Sequence, residues 1–477
     1  MHPIPLPARA RMRARPALGG LFATLLAGLL GGCASLSPDG GRGDVATLAE
    51  GRTAGVEARL PRAAPDPEAR AREVAALLAE PLDAQAAVQV ALLNNPGLDA
   101  SLAALGVSDA ERVQAGRLPN PHLALGRFNE GTEREIERLL TLNVLGLVTL
   151  PWRAEWQGRQ FELAKLQAAQ DVVRLAADTR RAWLRAVAAE QATTYLDQVE
   201  DAAQAGAELA RRMARAGNWS ALRQSREQAL LAEARAQQVR ARQAAQAARE
   251  QLARLLGLED AARLLLPQRL PELPAEARDG TEIEAQALRE RLDVRSAVAE
   301  SRYVAESLGF VRATGYVDAL ALGYQRNTTF DNASGERRTK QGWEVELPLP
   351  IFDWGQARNA RAQALYLQSA ARVREVGVRA RSEARQAWQG YRHAYTLARH
   401  YRDEVVPLQQ QMQEETLLRY NGMLASVWDL LAHARAQMLA VNAAIEAQRD
   451  FWLAETDLQV ALHATATTPA TTPAQGD

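Results

Sequence analysis

Two runs of the chain, about 152–216 and 355–420, are almost free of internal glycine and proline and rich in alanine, leucine, arginine and glutamine. As helices rising 1.5 Å per residue, each would reach roughly 95–100 Å. A helix that long has no globular core to lie in, so it must pack lengthwise on other helices as coiled coils do. Leucines, valines and alanines at mixed three- and four-residue spacings supply the seam. Gly217 and Gly422 stand at the far ends, where a left-handed cap lets a chain reverse. Returning helices are expected over about 220–256 and 425–463.

The two runs are copies of one unit. Val173-Arg174, Arg180, Ala182-Trp183 and Gly217 correspond without a gap to Val378-Arg379, Arg385, Ala387-Trp388 and Gly422. Gln243 and Glu250 continue the register as Gln448 and Glu455, and Ala91-Leu92 corresponds to Ala287-Leu288. Isolated alanine matches would be noise in such a composition, but the VR…R.AW…G frame holds over dozens of residues. The first repeat is read as 82–257 and the second as 281–463. Pro267, Pro271 and Pro274 mark 258–280 as the linker. Pro96 and the asparagine pair before it mark a helix start. Residues 33–81, rich in Gly, Ala, Arg and Pro, read as an exposed tether, and 464–477 as a disordered tail.

Each repeat also carries two segments that alternate apolar and polar residues. In Trp343-Glu344-Val345-Glu346-Leu347 the apolar residues share one face and Glu344 and Glu346 the other. Leu140, Leu142 and Val144 alternate with Thr141 and Asn143, and Tyr316 to Tyr324 sorts Leu320 and Leu322 from Ala319, Ala321 and Gly323. Period two with aromatic ends fits strands that face lipid outside and a wet lumen inside. Strands are expected at about 118–128, 139–150, 315–326 and 341–351, with hydrophilic loops at 129–138 and 327–340. No stretch after residue 33 is apolar enough for a spanning helix, so a membrane crossing would need a closed β-barrel. Four strands are too few to close one, since small membrane barrels need about eight or more. Strands from several copies must therefore be shared.

The N-terminus reads as a secretory signal over 1–32. Arg9, Arg11, Arg13 and Arg15 form a basic region, and Ala17 to Leu30 a short apolar one. Leu30-Gly31-Gly32-Cys33 resembles the lipobox of bacterial lipoproteins, which implies that Cys33 is acylated and anchors the mature chain. With Ala34 next, the same resemblance implies an outer-membrane destination.

Charge and chemistry narrow the function. The chain carries 57 basic and 57 acidic residues, so it has no basic footprint for nucleic acid. Its one cysteine excludes an internal disulfide and a Cys-based zinc site. The six histidines form no HExxH-type pair, and neither a phosphate-cradling loop nor a nucleophile elbow is present. No enzyme, cofactor or metal site is expected.

In this order, ALLNNPGL (91–98), GRLPNPHL (116–123), MARAGNWSALRQSREQ (213–228), ELPLPIFDWGQAR (346–358) and RYNGMLASVWDLL (419–431) resemble the TolC family of outer-membrane efflux proteins over roughly 82–463. The resemblance implies a mostly α protein with a transmembrane β part: a homotrimer with a twelve-stranded barrel and a periplasmic α-helical tunnel. It also implies a periplasmic adaptor and an inner-membrane transporter as partners. The adaptor would meet the turns Gly217-Asn218-Trp219-Ser220 and Asn421, Gly422, Met423 and Ser426. A polar latch near these turns would hold the closed state. Tyr420 and Asp429 match two of its members, whereas its arginine falls on Ala425, its second aspartate on Ala432 and its opposing aspartate on Arg223. A charge-reversed Arg223–Asp429 pair is the expected substitute. The GNWS-type turn resembles metal- and cation-efflux relatives, with drug export as the other cargo expected of an exit duct. A lipid-anchored coiled-coil structural protein without a channel is the competing reading, and it requires the strands to be soluble hairpins.

Overall fold

The computed structural model describes residues 35–53, 55–61, 66–314, 320–349 and 351–464. Cys33, the signal sequence, the tail from 465 and the expected strand residues 315–319 lie outside them. The chain divides into two compact units. Of the described residues, one holds those within Met1–Ser37, Asp109–Gly158 and Tyr316–Trp354; the other holds those within Pro38–Ser108, Arg159–Gly315 and Gly355–Asp477.

In chain order, α1 (Arg42–Ala49), α2 (Pro67–Leu77), α3 (Ala84–Asn94) and α4 (Pro96–Ala115) precede strands β1 (His122–Glu130) and β2 (Glu133–Asn143). A short α5 (Val144–Val148) leads to the long α6 (Leu150–Arg215) and the returning α7 (Ala221–Leu256). The order then recurs as α8 (Ile283–Glu290), α9 (Leu292–Thr314), β3 (Ala321–Asp331), β4 (Arg337–Glu346), α10 (Gln356–His400), α11 (Val406–Asn421) and α12 (Val427–His463). Between α10 and α11 the helix passes through a π-turn at Tyr401–Val405, just ahead of Pro407. Proline has no N–H for the helix ladder, and a π-bulge absorbs such a fault at the cost of one extra residue.

The four strands form one antiparallel sheet in sequence order, leaving β1 and β4 as open edges. The strands sit further toward the hairpin tips than expected. Pro121 and Pro348 lack the ladder N–H, so β1 starts only at His122 and β4 ends at Glu346. Residues 133–138, expected in a loop, pair with β1, which leaves Gly131 and Thr132 as a two-residue turn with Gly131 at φ 58°. Residues 144–150, expected to finish a strand, are helical because the Asn143 side chain caps them, accepting from Gly146 N–H at 2.7 Å.

The core of the helical unit lies where short helices wrap the long ones. Trp183 is buried and its indole N–H donates to the Leu82 carbonyl at 2.7 Å. In the second half Trp388, Tyr391, Tyr395 and Phe451 build an aromatic cluster. The segment expected as an exposed tether is instead partly packed. Val45 and Ala49 of α1 are fully buried beside Phe161, and Lys165 pairs with Asp44 at 2.8 Å. Gly41 takes φ 80° there, and a Cβ would stand 2.8 Å from the Phe161 ring. The linker also packs, burying Leu264, Leu270 and Leu273.

Each half ties its long returning helix to the start of the next short one. Asn94 and Asn95 donate side-chain N–H groups to the carbonyls of Leu256, Gly257 and Leu255 at the end of α7, all at 2.9 Å. The Asn95 carbonyl oxygen also accepts from Leu98 N–H at 3.0 Å, starting α4. In the sequence frame Arg291 takes the place of Asn95. Its guanidinium donates to the Ala461 carbonyl near the end of α12 at 3.2 Å.

Candidate functional site

The sheet sorts its side chains by charge. Residues paired across antiparallel strands share a face. Leu123 pairs with Leu140, Leu140 with Tyr324 and Tyr324 with Trp343, and one step below Leu142, Leu322 and Val345 form the next row. Most of this apolar belt is exposed, Trp343 by 72%. The opposite face carries Glu130, Glu133, Glu135, Glu137, Asp331, Glu344 and Glu346, with Arg338, Lys340 and His122 among them. Asn327 donates its amide to Glu135 at 3.1 Å and Glu137 at 3.3 Å, and Arg338 reaches Glu133 at 3.4 Å. Glu344 and Glu346 therefore stand on the charged face. Glu133, Glu135 and Glu137 were missed because residues 129–138 read as a loop. Their strict alternation in Glu133-Arg134-Glu135-Ile136-Glu137-Arg138 was the strand signal.

The two helical turns belong to the other unit. At the first, Gly217 takes φ 77°, Asn218 N–H donates to Met213 O at 2.9 Å, and Ser220 caps α7 through Arg223 N–H. At the second, Gly422 has an ordinary negative φ and Met423 takes the left-handed position at φ 60°. Leu424 N–H donates to Arg419 O at 2.8 Å, and Ser426 caps α12. The structural partner of Gly217 is thus Met423, one residue later than the frame that aligns Trp183 with Trp388. The π-turn at Tyr401–Val405 supplies that residue; α6 is α-helical throughout and has none. Past the turns, the Gln243–Gln448 and Glu250–Glu455 matches are consequently out of step by one residue.

Met423 is 94% exposed, with Leu424, Leu418 and Leu222 also exposed, whereas Trp219 is half-buried. Leu424 was not singled out in the sequence, where a lone leucine beside a turn gives no signal. Tyr420 and Arg223 are exposed, and no ion pair joins Arg223 to Asp429. The expected substitute latch does not form within the chain, because the Asp429 carboxylate serves its own helix end. It accepts from Ser426 N–H at 3.0 Å and from the Ser426 hydroxyl at 2.8 Å, a capping box. The Ser426 hydroxyl and backbone hold the Asp429 carboxyl below the usual carboxylate range.

Behind the turns α6, α7 and α12 flank a cavity of about 1350 Å³, lined by Leu196, Leu230, Leu431, Arg435 and Met438 among others. Glu227 of α7 is buried at its wall; its Oε2 has no hydrogen-bond partner and lies near Gly206 and Leu431. Burial pushes its carboxyl above the usual range, opposed by Arg435. A group whose pKa is raised on folding favours the folded state while protonated, and that contribution is lost as pH rises through the folded value. Glu227→Gln is therefore expected to raise the urea midpoint of the full-length protein at pH 8 and to change it little at pH 4. Equal effects at both pH values would contradict this assignment.

Among the described residues no group of three or more His, Cys, Asp or Glu could hold a metal ion, and no helix is long and apolar enough to cross a membrane. A small antiparallel sheet with two open edges, together with long paired helices in a duplicated order, is the fold of outer-membrane channel proteins. Among solved structures, a membrane protein from Pseudomonas aeruginosa is similar at TM-score 0.68 and 21% identity, over 80% of this chain and 93% of that one. The CmeC outer membrane channel of Campylobacter jejuni follows the same path (TM-score 0.66, 15% identity, 80% of this chain and 85% of that one). So does the open state of the MtrE outer membrane channel of Neisseria gonorrhoeae (0.64, 18%, 80% and 88%). At these identities the likeness is one of fold. No protein-family model and no curated protein matches the chain.

Proposed function

We propose that three copies of this chain close a twelve-stranded barrel in the outer membrane and act as the exit duct of a tripartite efflux system. The observation that carries this reading is the sheet: four strands, two open edges, one apolar face and one charged face. Unpaired edges are intolerable in lipid, and edge-to-edge closure by further copies removes them. The apolar belt then meets lipid and the acidic face lines water, where its carboxylates favour cations. The fold shared with the CmeC and MtrE channels supports a channel, and the choice of three copies follows what the resemblance to the TolC family implies. The helices form the periplasmic tunnel, and Gly217 to Ser220 and Met423 to Ser426 are the turns that meet a periplasmic adaptor and, through it, an inner-membrane transporter. Exposed Met423 and Leu424 suit that contact, since methionine and apolar anchors are favoured at interface centres. Metal ions or other cations and drugs are the cargo classes. Acylation at Cys33, read by fatty-acid labelling that a Cys33→Ser change removes, completes the anchor.

Planar-bilayer recording on the purified full-length protein tests this. A trimer giving stepwise, cation-preferring conductance is expected. A soluble monomer that never conducts would sink the channel and favour a coiled-coil structural protein of the envelope.

A further inference from the structure

The apolar face of the sheet ends in a band of arginines. Continuing the strand register toward the hairpin tips, the belt of Leu123, Leu140, Tyr324 and Trp343 gives way to Arg138 and Arg326, then Arg127, then Arg134 and Arg337. Same-face neighbours along a strand are about 6.6 Å apart, so the five guanidinium groups lie within two such steps. The residues between them on this face are Asn129, Ile136, Thr328, Phe330, Thr339 and Gln341, so the band contains no carboxylate. None of the five makes an ion pair with a described residue, whereas Arg338 on the opposite face pairs with Glu133 and Glu336. Arg134 and Arg337 lie over the Phe330 ring, 5.0 and 5.3 Å from its centroid, and Arg138 reaches the Thr328 hydroxyl at 3.4 Å. These contacts hold Arg134, Arg138 and Arg337 in place and supply no opposite charge.

From this arrangement, which rests on the barrel reading above, we infer that the arginine band binds the phosphate groups of anionic lipids at the tip-side membrane interface. A planar guanidinium matches a phosphate bidentately. A cationic row immediately beside an apolar belt is placed where a lipid has its headgroup when its chains cover the belt. The acidic residues face the other way, so they neither neutralise the band nor repel the lipid. The occupant is a lipid and not a free anion, because the belt and the band are continuous and one molecule satisfies both.

The test uses the full-length protein in nanodiscs of phosphatidylcholine and in nanodiscs of phosphatidylcholine with phosphatidic acid. Wild type is expected to enrich phosphatidic acid several-fold in its bound lipid shell, measured by native mass spectrometry, and to lose that enrichment in high salt. The Arg127→Gln/Arg138→Gln/Arg326→Gln variant is expected to lose the enrichment while keeping its oligomeric mass and conductance. Arg127→Lys/Arg138→Lys/Arg326→Lys keeps the charge and is expected to retain part of it. A barrel that enters both discs without lipid preference overturns this inference alone. So does enrichment that persists in the glutamine variant, or enrichment that inorganic phosphate abolishes as readily as high salt. A protein that enters neither disc overturns the barrel reading and this inference with it.

Discussion

Val345→Arg is expected to abolish membrane assembly, whereas Glu344→Gln, one residue earlier, leaves it intact. Val345 lies on the apolar face in the row with Leu142 and Leu322, and Glu344 on the opposite face beside Gly323. An arginine on a lipid-facing strand costs up to about 2–4 kcal/mol at mid-bilayer, and the proposed trimer would repeat it three times. The loss therefore reaches on the order of 10 kcal/mol, comparable to the whole stability of a typical domain. The readout is the yield of membrane-extracted trimer. Equal yields for the two variants would undo the assignment of faces and, with it, the channel.

Arg291→Leu is expected to cost about 3–5 kcal/mol, the usual penalty for removing one member of a buried ion cluster. The Arg291 side chain is fully buried, bonded to both carboxylate oxygens of Asp293 at 2.9 and 2.8 Å and to Glu383 at 2.8 Å. Without the guanidinium two carboxylates would face each other in a dry site, and the end of α12 would lose a donor at Ala461. Arg291→Asn copies the first half of the molecule but takes the buried guanidinium away from Asp293 and Glu383, so it is expected to fail almost as badly. Arg291→Leu with Asp293→Leu and Glu383→Leu removes the charges together and is expected to recover much of the loss. Urea unfolding of the three variants decides the matter; an undisturbed Arg291→Leu midpoint would show that the cluster is dispensable.

The long helices and the repeat were legible because both depend on what is absent over long stretches: helix breakers in one case and gaps in the other. The strand faces were legible from Trp343 to Glu346, where apolar and acidic residues alternate. Their ends were not, because a charged strand looks like a hydrophilic loop until its register is known, as at Glu133 to Arg138. The packed α1 was hidden by composition: Val45 and Ala49 are too few to signal burial without Phe161, which lies far away in sequence. The turn at Met423 was misplaced onto Gly422 by a sound rule, that glycine takes left-handed positions. The π-turn ahead of Pro407 moved the reversal along by one residue, and no local pattern announces such a shift. At Asp429 the family pattern suggested a latch, while the simpler local chemistry of Ser426 and a helix start claimed the carboxylate.

That single inserted residue has an effect on any ring assembled from this chain. In the proposed trimer the mouth would bear six reversals of two kinds in alternation, one built on glycine beside a half-buried indole and one projecting a bare thioether and an isobutyl group. A partner seated there would meet two different footholds, and so would grip each copy through two unequal contacts.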